Sequence, residues 1–182
     1  MSSNALDNYR YPIGQFEPPP VLDGQQLAVW VDDIEKFPFR LNKEVANLGK
    51  KVWHQTYRPG GWTILQLVHH CADSHMNSFI RFKLALTEDV PTIKTYVEDR
   101  WANLPDATTE PAHSLRILEG LHRRWGVLLR SLTAEDRRRT FIHPETNRRI
   151  SIEENIGIYA WHGNHHLAHI RLAKTLSLSS TT

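Results

Sequence analysis

Four histidines, His162, His165, His166 and His169, fall within eight positions of this 182-residue sequence. His162 and His166 are four residues apart, so on an α-helix they project within about 40° of each other. Two imidazoles placed in that way can grip one ion. A second segment with helical apolar spacing carries the adjacent pair His69 and His70. Neighbours on a helix diverge by about 100°, so only one of this pair can face the same point. On that segment Ile64, Val68, Cys71, Ala72, Met76 and Phe79 lie to one side of His70, whose own stripe is Leu67, Ser74, Asn77 and Arg81. The polar stripe reads as the lining of a cleft. Three neutral imidazoles leave positions on an ion open to water or substrate, as catalytic sites require. Zn²⁺ and Ni²⁺ both suit such donors.

A His-x-x-x-His pair by itself is more often ordinary surface or core chemistry than a ligand pair. The further His-His on another core helix, with two polar positions that periodicity buries, shifts the balance to a metal. His165 points about 60° away from the pair and is expected on an ordinary polar face. His169 and His75 are expected either behind the ligands or on polar faces, and Asp73 is placed to orient a ligand imidazole through its other nitrogen. Cys71, among apolar neighbours, is expected to be inert packing. The sequence has no His-Glu-x-x-His, Gly-rich phosphate loop, Gly-x-Ser-x-Gly or Cys-x-x-Cys.

The elements that must position these residues follow from pattern and punctuation. The length fits a single domain, residues 1–182, able to bury its own core without disulfides. One cysteine fits a reducing, cytoplasmic setting. The opening residues lack an apolar targeting segment, and no run approaches the roughly 18 apolar residues of a membrane span. Residues 1–22, with Pro18-Pro19-Pro20, should form an extended arm. Asp23 and Gln26 then cap a helix through Leu48, stopped by Gly49 and kinked or divided at Pro38. Thr63 and Gln66 form a capping box for a helix to about Thr87, with Trp62 stapled onto Leu67. A long loop from Val90 to Thr108, ordered in part by Tyr96 and Trp101, leads to a third helix from about Pro111 to Leu132. Thr140–Ile150 has the chemistry of a small hairpin, and Ser151 with Glu154 opens a fourth helix to about Thr175. The expected fold is therefore all-α: a four-helix bundle with long connections and one hairpin. Its lead-ins, Trp53–His70 and Phe141–His166, echo each other as if two helix pairs were related.

A net charge of +2 does not point to nucleic acid. The clusters Arg123-Arg124, Arg137-Arg138-Arg139 and Arg148-Arg149 are interleaved with Glu119, Glu135, Asp136 and Glu145. They read as a solvated face or an anion-steering rim.

The strings RYPIGQFEP, GGWTILQLVHHCADSHMNSFIRFKLALTE, LHRRWGVLLRSL and GIYAWHGNHHLAHI resemble the YfiT-type branch of the DinB-like superfamily. Its members are labelled metal-dependent hydrolases and are related to bacillithiol S-transferases. The resemblance runs from about Tyr9 to Arg171. It implies an up-down-down-up bundle, commonly a homodimer, with one divalent ion (nickel or zinc) on three histidines. By motif position these are His70, His162 and His166. Members tend to carry serine and histidine where this sequence has Gly163 and Asn164, a departure that spares the ligand positions.

An ion held by neutral imidazoles favours the anionic form of whatever fills its open position, whether hydroxide or thiolate. Hydrolysis normally wants a carboxylate base, and the ligand helices offer no Glu at metalloprotease spacing. Transfer of a low-molecular-weight thiol to an electrophile needs no such base. The expected function is thus a metal-dependent enzyme, thiol S-transferase ahead of hydrolase, with Asn77 and Arg81 orienting substrate. The alternative is a non-catalytic metal-binding stress-response module.

Overall fold

The computed structural model describes residues 8–179. The outermost parts of the expected arm and domain, residues 1–7 and 180–182, lie outside that range. Four long helices form the body. Helix α1, Gly24–Val45, starts where the Asp23 carboxylate accepts from the Gln26 amide. Helix α2, Ile64–Thr87, opens with both halves of the Thr63/Gln66 capping box. Helix α3, Ala112–Ser131, follows Pro111, and helix α4, Ile152–Ser179, starts where Ser151 accepts from the Glu154 amide. Among the described residues no helix is long and apolar enough to cross a membrane.

Side-chain pairs fix the helix directions. His69 meets Ser114 and His75 meets His122, so α2 and α3 run parallel. His70 meets His162 while Ser78 meets Asn155, so α4 runs against α2. Trp30 lies against Gly157 and Glu44 holds Arg171, so α4 runs with α1. The order is up-down-down-up. Helices α1 and α2, consecutive in sequence, lie on a diagonal, with α3 and α4 each packed against both. Parallel neighbours need long crossovers, which explains the 88–111 connection. That connection holds two short helical turns, Glu98–Trp101 and Pro105–Thr108, with the Tyr96 and Trp101 rings in contact.

Strands β1, Thr140–His143, and β2, Arg148–Ser151, form the hairpin, with Phe141 opposite Ile150 and both buried. Ile142 also bridges to Thr92, tying the hairpin to the crossover. Arg139 donates to the Ala85 and Glu88 carbonyls at the C-terminal end of α2, where orphan acceptors favour a cation.

Three sequence expectations need correction. Helix α1 ends at Val45 rather than Leu48, because Ala46 turns extended and Asn47 takes a φ of +60°, which asparagine tolerates. A separate turn, Lys50–Trp53, follows Gly49. Residues 8–10 are helical rather than extended. The arm is then pinned to α4, where the Trp161 indole donates to the Gly14 carbonyl and His169 meets the Arg10 carbonyl. Finally, Pro38 does not divide α1: it lies buried within one continuous helix. A helix-interior proline costs about 3 kcal/mol and leaves the carbonyl four residues earlier, here that of Ile34, without its amide donor.

The buried apolar residues form two clusters. One holds Val31, Ile34, Phe79, Phe82, Trp125, Ile156 and their neighbours; the other holds Phe37, Leu41, Ile64, Val68, Leu118, Leu167 and theirs. Between them a layer of histidines crosses the bundle.

Candidate metal centre

Three of those histidines converge. His70 Nε2 lies 3.2 Å from His162 Nε2, and His166 Nε2 lies 3.2 Å from the same atom. His162 and His166 come from successive turns of α4, and His70 comes from α2, antiparallel to it. His69 turns away, its Nδ1 2.8 Å from Ser114 Oγ and its Nε2 3.1 Å from the Thr109 carbonyl. The Trp62 ring lies over His70, 4.6 Å between centroids.

The donor set fits a small divalent cation. Tetrahedral Zn–N bonds of about 2.0–2.1 Å place ligand nitrogens about 3.3 Å apart. Burial pushes His70 down to about 4, and burial followed by neighbouring imidazoles pushes His162 and His166 well below the ordinary histidine value. All three are therefore neutral at pH 7, the state that binds a metal. Among the described residues only histidines make up the clusters that could hold an ion.

Behind these three histidines stand further imidazoles. His75 Nε2 lies 3.0 Å from His162 Nδ1, His75 Nδ1 lies 2.8 Å from His122 Nε2, and His122 Nδ1 lies 2.6 Å from the Ile34 carbonyl oxygen. The oxygen that Pro38 leaves without a helical donor is thus filled from α3. On the other side His169 Nδ1 is 3.4 Å from His166 Nδ1, and His169 Nε2 is 3.1 Å from the Arg10 carbonyl. His165, His166 and His169 also cluster.

These placements sort the sequence expectations. His165 is buried rather than on a polar face: it stacks on Trp161, its Nδ1 has no hydrogen-bond partner, and burial pushes it to about 3. His75 stands behind His162, one of the two places expected for it and the one expected of Asp73. Asp73 itself faces Asp106 across the crossover, and burial raises its carboxyl to about 6. Cys71 is fully buried and burial raises its thiol, which leaves it inert at neutral pH. Asn77 donates to the Asp73 carbonyl of its own helix. Arg81 lies farther along the same stripe and lines a cleft.

That cleft, about 260 Å³, is bounded by Ser74, Arg81, Glu98, His143, Tyr159 and His162, with the hairpin forming one wall. Ser74 Oγ is 3.2 Å from the Tyr159 hydroxyl and 3.4 Å from His162 Nε2, so the cleft opens onto the histidine cluster. Arg81 Nε and His143 Nδ1 are buried without partners. His122 carried a signal in the sequence: it falls on the Leu118–Trp125–Leu129 stripe of α3, a histidine on an apolar ridge. The hairpin wall and Glu98 had no such signal.

Several known proteins are similar. The chain matches the DinB superfamily over residues 34–170. Proteins from Bacillus cereus strain 03BB102 and Bacillus thuringiensis subsp. konkukian, provisionally named metal-dependent hydrolases, are each 50% identical over 165 residues, covering 91% of this chain and 95% of theirs. The solved structure of YfiT from Bacillus subtilis is 44% identical, with a TM-score of 0.90, covering 93% of this chain and 98% of that one. YfiT is provisionally described as a metal-dependent hydrolase with an unusual four-helix bundle topology.

Proposed function

Since the chain belongs to the DinB superfamily, we propose that it is a metal-dependent enzyme in which His70, His162 and His166 hold one divalent ion, zinc or nickel. The observation that carries this reading is the meeting of three neutral imidazole nitrogens from two antiparallel helices beside a cleft that His162 lines. A dication there supplies charge that lowers the pKa of a thiol or water sharing the site.

The chain's own residues supply the rest. The all-histidine donor set leaves the ion's charge undiluted, which favours a thiolate. Arg81, which lines the cleft, suits an acidic group on the substrate, while Ser74 and Tyr159 border the approach. In thiol S-transfer the sulfur bonds to the electrophilic carbon, the leaving group departs with its electron pair, and the thiol proton passes to solvent. No general base is needed. Hydrolysis is the second reading: Glu98 lines the cleft, burial raises its carboxyl, and the named relatives carry hydrolase names.

Metal content after chelator-free purification should be near one ion per chain, and His162→Ala should lose both metal and turnover. Full occupancy in that variant sinks the assignment. Assays of the metal-loaded protein on chlorinated aromatic electrophiles with several cellular thiols, beside ester and amide hydrolysis, separate the two readings. Turnover that requires a thiol supports transfer; turnover with water alone assigns a hydrolase.

A further inference from the structure

We propose that His75 and His122 are positioning residues that fix the tautomer of His162, and that Pro38 anchors them by releasing the Ile34 carbonyl. The inference rests on the metal-site reading only in its purpose, because the hydrogen-bond order stands on geometry.

The order has one direction. A carbonyl oxygen only accepts, so the 2.6 Å contact to Ile34 places a proton on His122 Nδ1. A neutral imidazole with that proton has its lone pair on Nε2. His75 must then donate from Nδ1 across 2.8 Å, which leaves its own lone pair on Nε2. His162 must donate from Nδ1 across 3.0 Å. Its Nε2 lone pair is left facing His70 and His166. Each link removes one of two tautomers from the next ring, and the last ring is the one that both other candidate ligands approach.

The rings are held in this order. His75 and His122 are each 1% exposed, so charging either would place an imidazolium in an apolar layer. Phe37 lies 4.9 Å from His75 and 5.5 Å from His122, ring centre to ring centre, and Trp125 closes the other side. The relay starts at Ile34 because the residue four positions later is proline. In an uninterrupted helix the amide of residue 38 would occupy that oxygen. The buried proline, unfavourable for α1 alone, leaves the acceptor that orients three imidazoles.

The same logic runs more weakly on the other side. The Arg10 carbonyl accepts from His169 Nε2, so His169 Nδ1 is the acceptor facing His166 Nδ1 at 3.4 Å.

The test is ¹⁵N-histidine NMR of the metal-free protein at pH 8, with Zn²⁺ affinity measured by chelator competition. His162, His75 and His122 should each carry the proton on Nδ1. His122→Leu removes the acceptor for His75 and should give mixed tautomers at His162, with zinc bound about 10–100-fold more weakly. His122→Gln offers a side-chain oxygen in place of Nε2 and should restore both to within about threefold. Pro38→Ala, which favours the helix and so folds, should raise thermal stability while loosening the His122 Nδ1–H resonance and weakening zinc binding several-fold. A His162 proton on Nε2 in the wild type overturns the relay. So does a folded His122→Leu with wild-type affinity and tautomer, and an unaltered Pro38→Ala removes the proline from it. If the wild type binds no zinc, the metal reading fails, while the tautomer spectra still decide the relay.

Discussion

At the scale of single residues, the centre depends on groups that never touch a substrate. Phe37 is 2% exposed and packed against both His75 and His122. Gly163, between His162 and Asn164, lies flush against that ring: a Cβ there would stand 2.8 Å from Phe37 Cδ2. Alanine at 163 would gain about 1 kcal/mol of helix propensity but meet a ring with nowhere to go, and overpacking costs about 1–3 kcal/mol. Gly163→Ala should therefore lower stability by up to about 2 kcal/mol in urea unfolding, with weakened metal binding as His75 is displaced. A stabilised variant would show that Phe37 can move. Asn164, the next residue, accepts from Arg40 and donates to Asp33, joining α4 to α1 just behind the site.

At the scale of elements, each helix that carries the converging histidines is set by its start. The Thr63/Gln66 box fixes where α2 begins, and His70 stands two turns farther on. Thr63→Ala removes a cap worth about 1 kcal/mol. The urea midpoint should fall accordingly, while zinc affinity stays within a few-fold because His70 is held by Trp62 and the core. A large loss of affinity would mean that the cap, not the packing, places the ligand. Two arginines of the clusters, together with Arg130 outside them, join elements. Arg130 pairs with Asp32 and Glu35, Arg139 closes the end of α2, and Arg148 pairs with Glu154. That usage fits a structural surface better than a nucleic-acid patch.

At the scale of the whole molecule, a polar layer between two apolar cores makes folding depend on pH. Burial holds His70, His122 and His169 near 4 and His165 near 3 in the folded state, and holds His75, His162 and His166 well below 6.5. The unfolded chain titrates them near 6.5, so below that pH it binds more protons than the folded chain. Stability is then fully present above about 6.5 and falls as pH drops toward 4, by up to about 1.4 kcal/mol per pH unit for each histidine. The metal-free protein should show a melting temperature that drops steeply from pH 7 to 5, with zinc raising it at pH 7.5 and losing that effect as the imidazoles protonate. A flat profile would mean that the layer takes up protons without unfolding.

Much of this could be read in the residues themselves. Helical spacing and caps gave α2 to the residue, and an i, i+4 rule put His162 beside His166, because these are local properties of a 3.6-residue turn. In the proline-bearing helix the chain pattern shows the lost amide but not a histidine arriving from another helix to take the free carbonyl. The same reason hid the role of His122 and the burial of His165. Hydrogen-bond partners far apart in sequence, such as Ile34 and His122, are chosen by how four rods are ordered and which faces they turn inward. That choice belongs to the packed bundle, and it alone decides whether a cluster of imidazoles becomes a directed site.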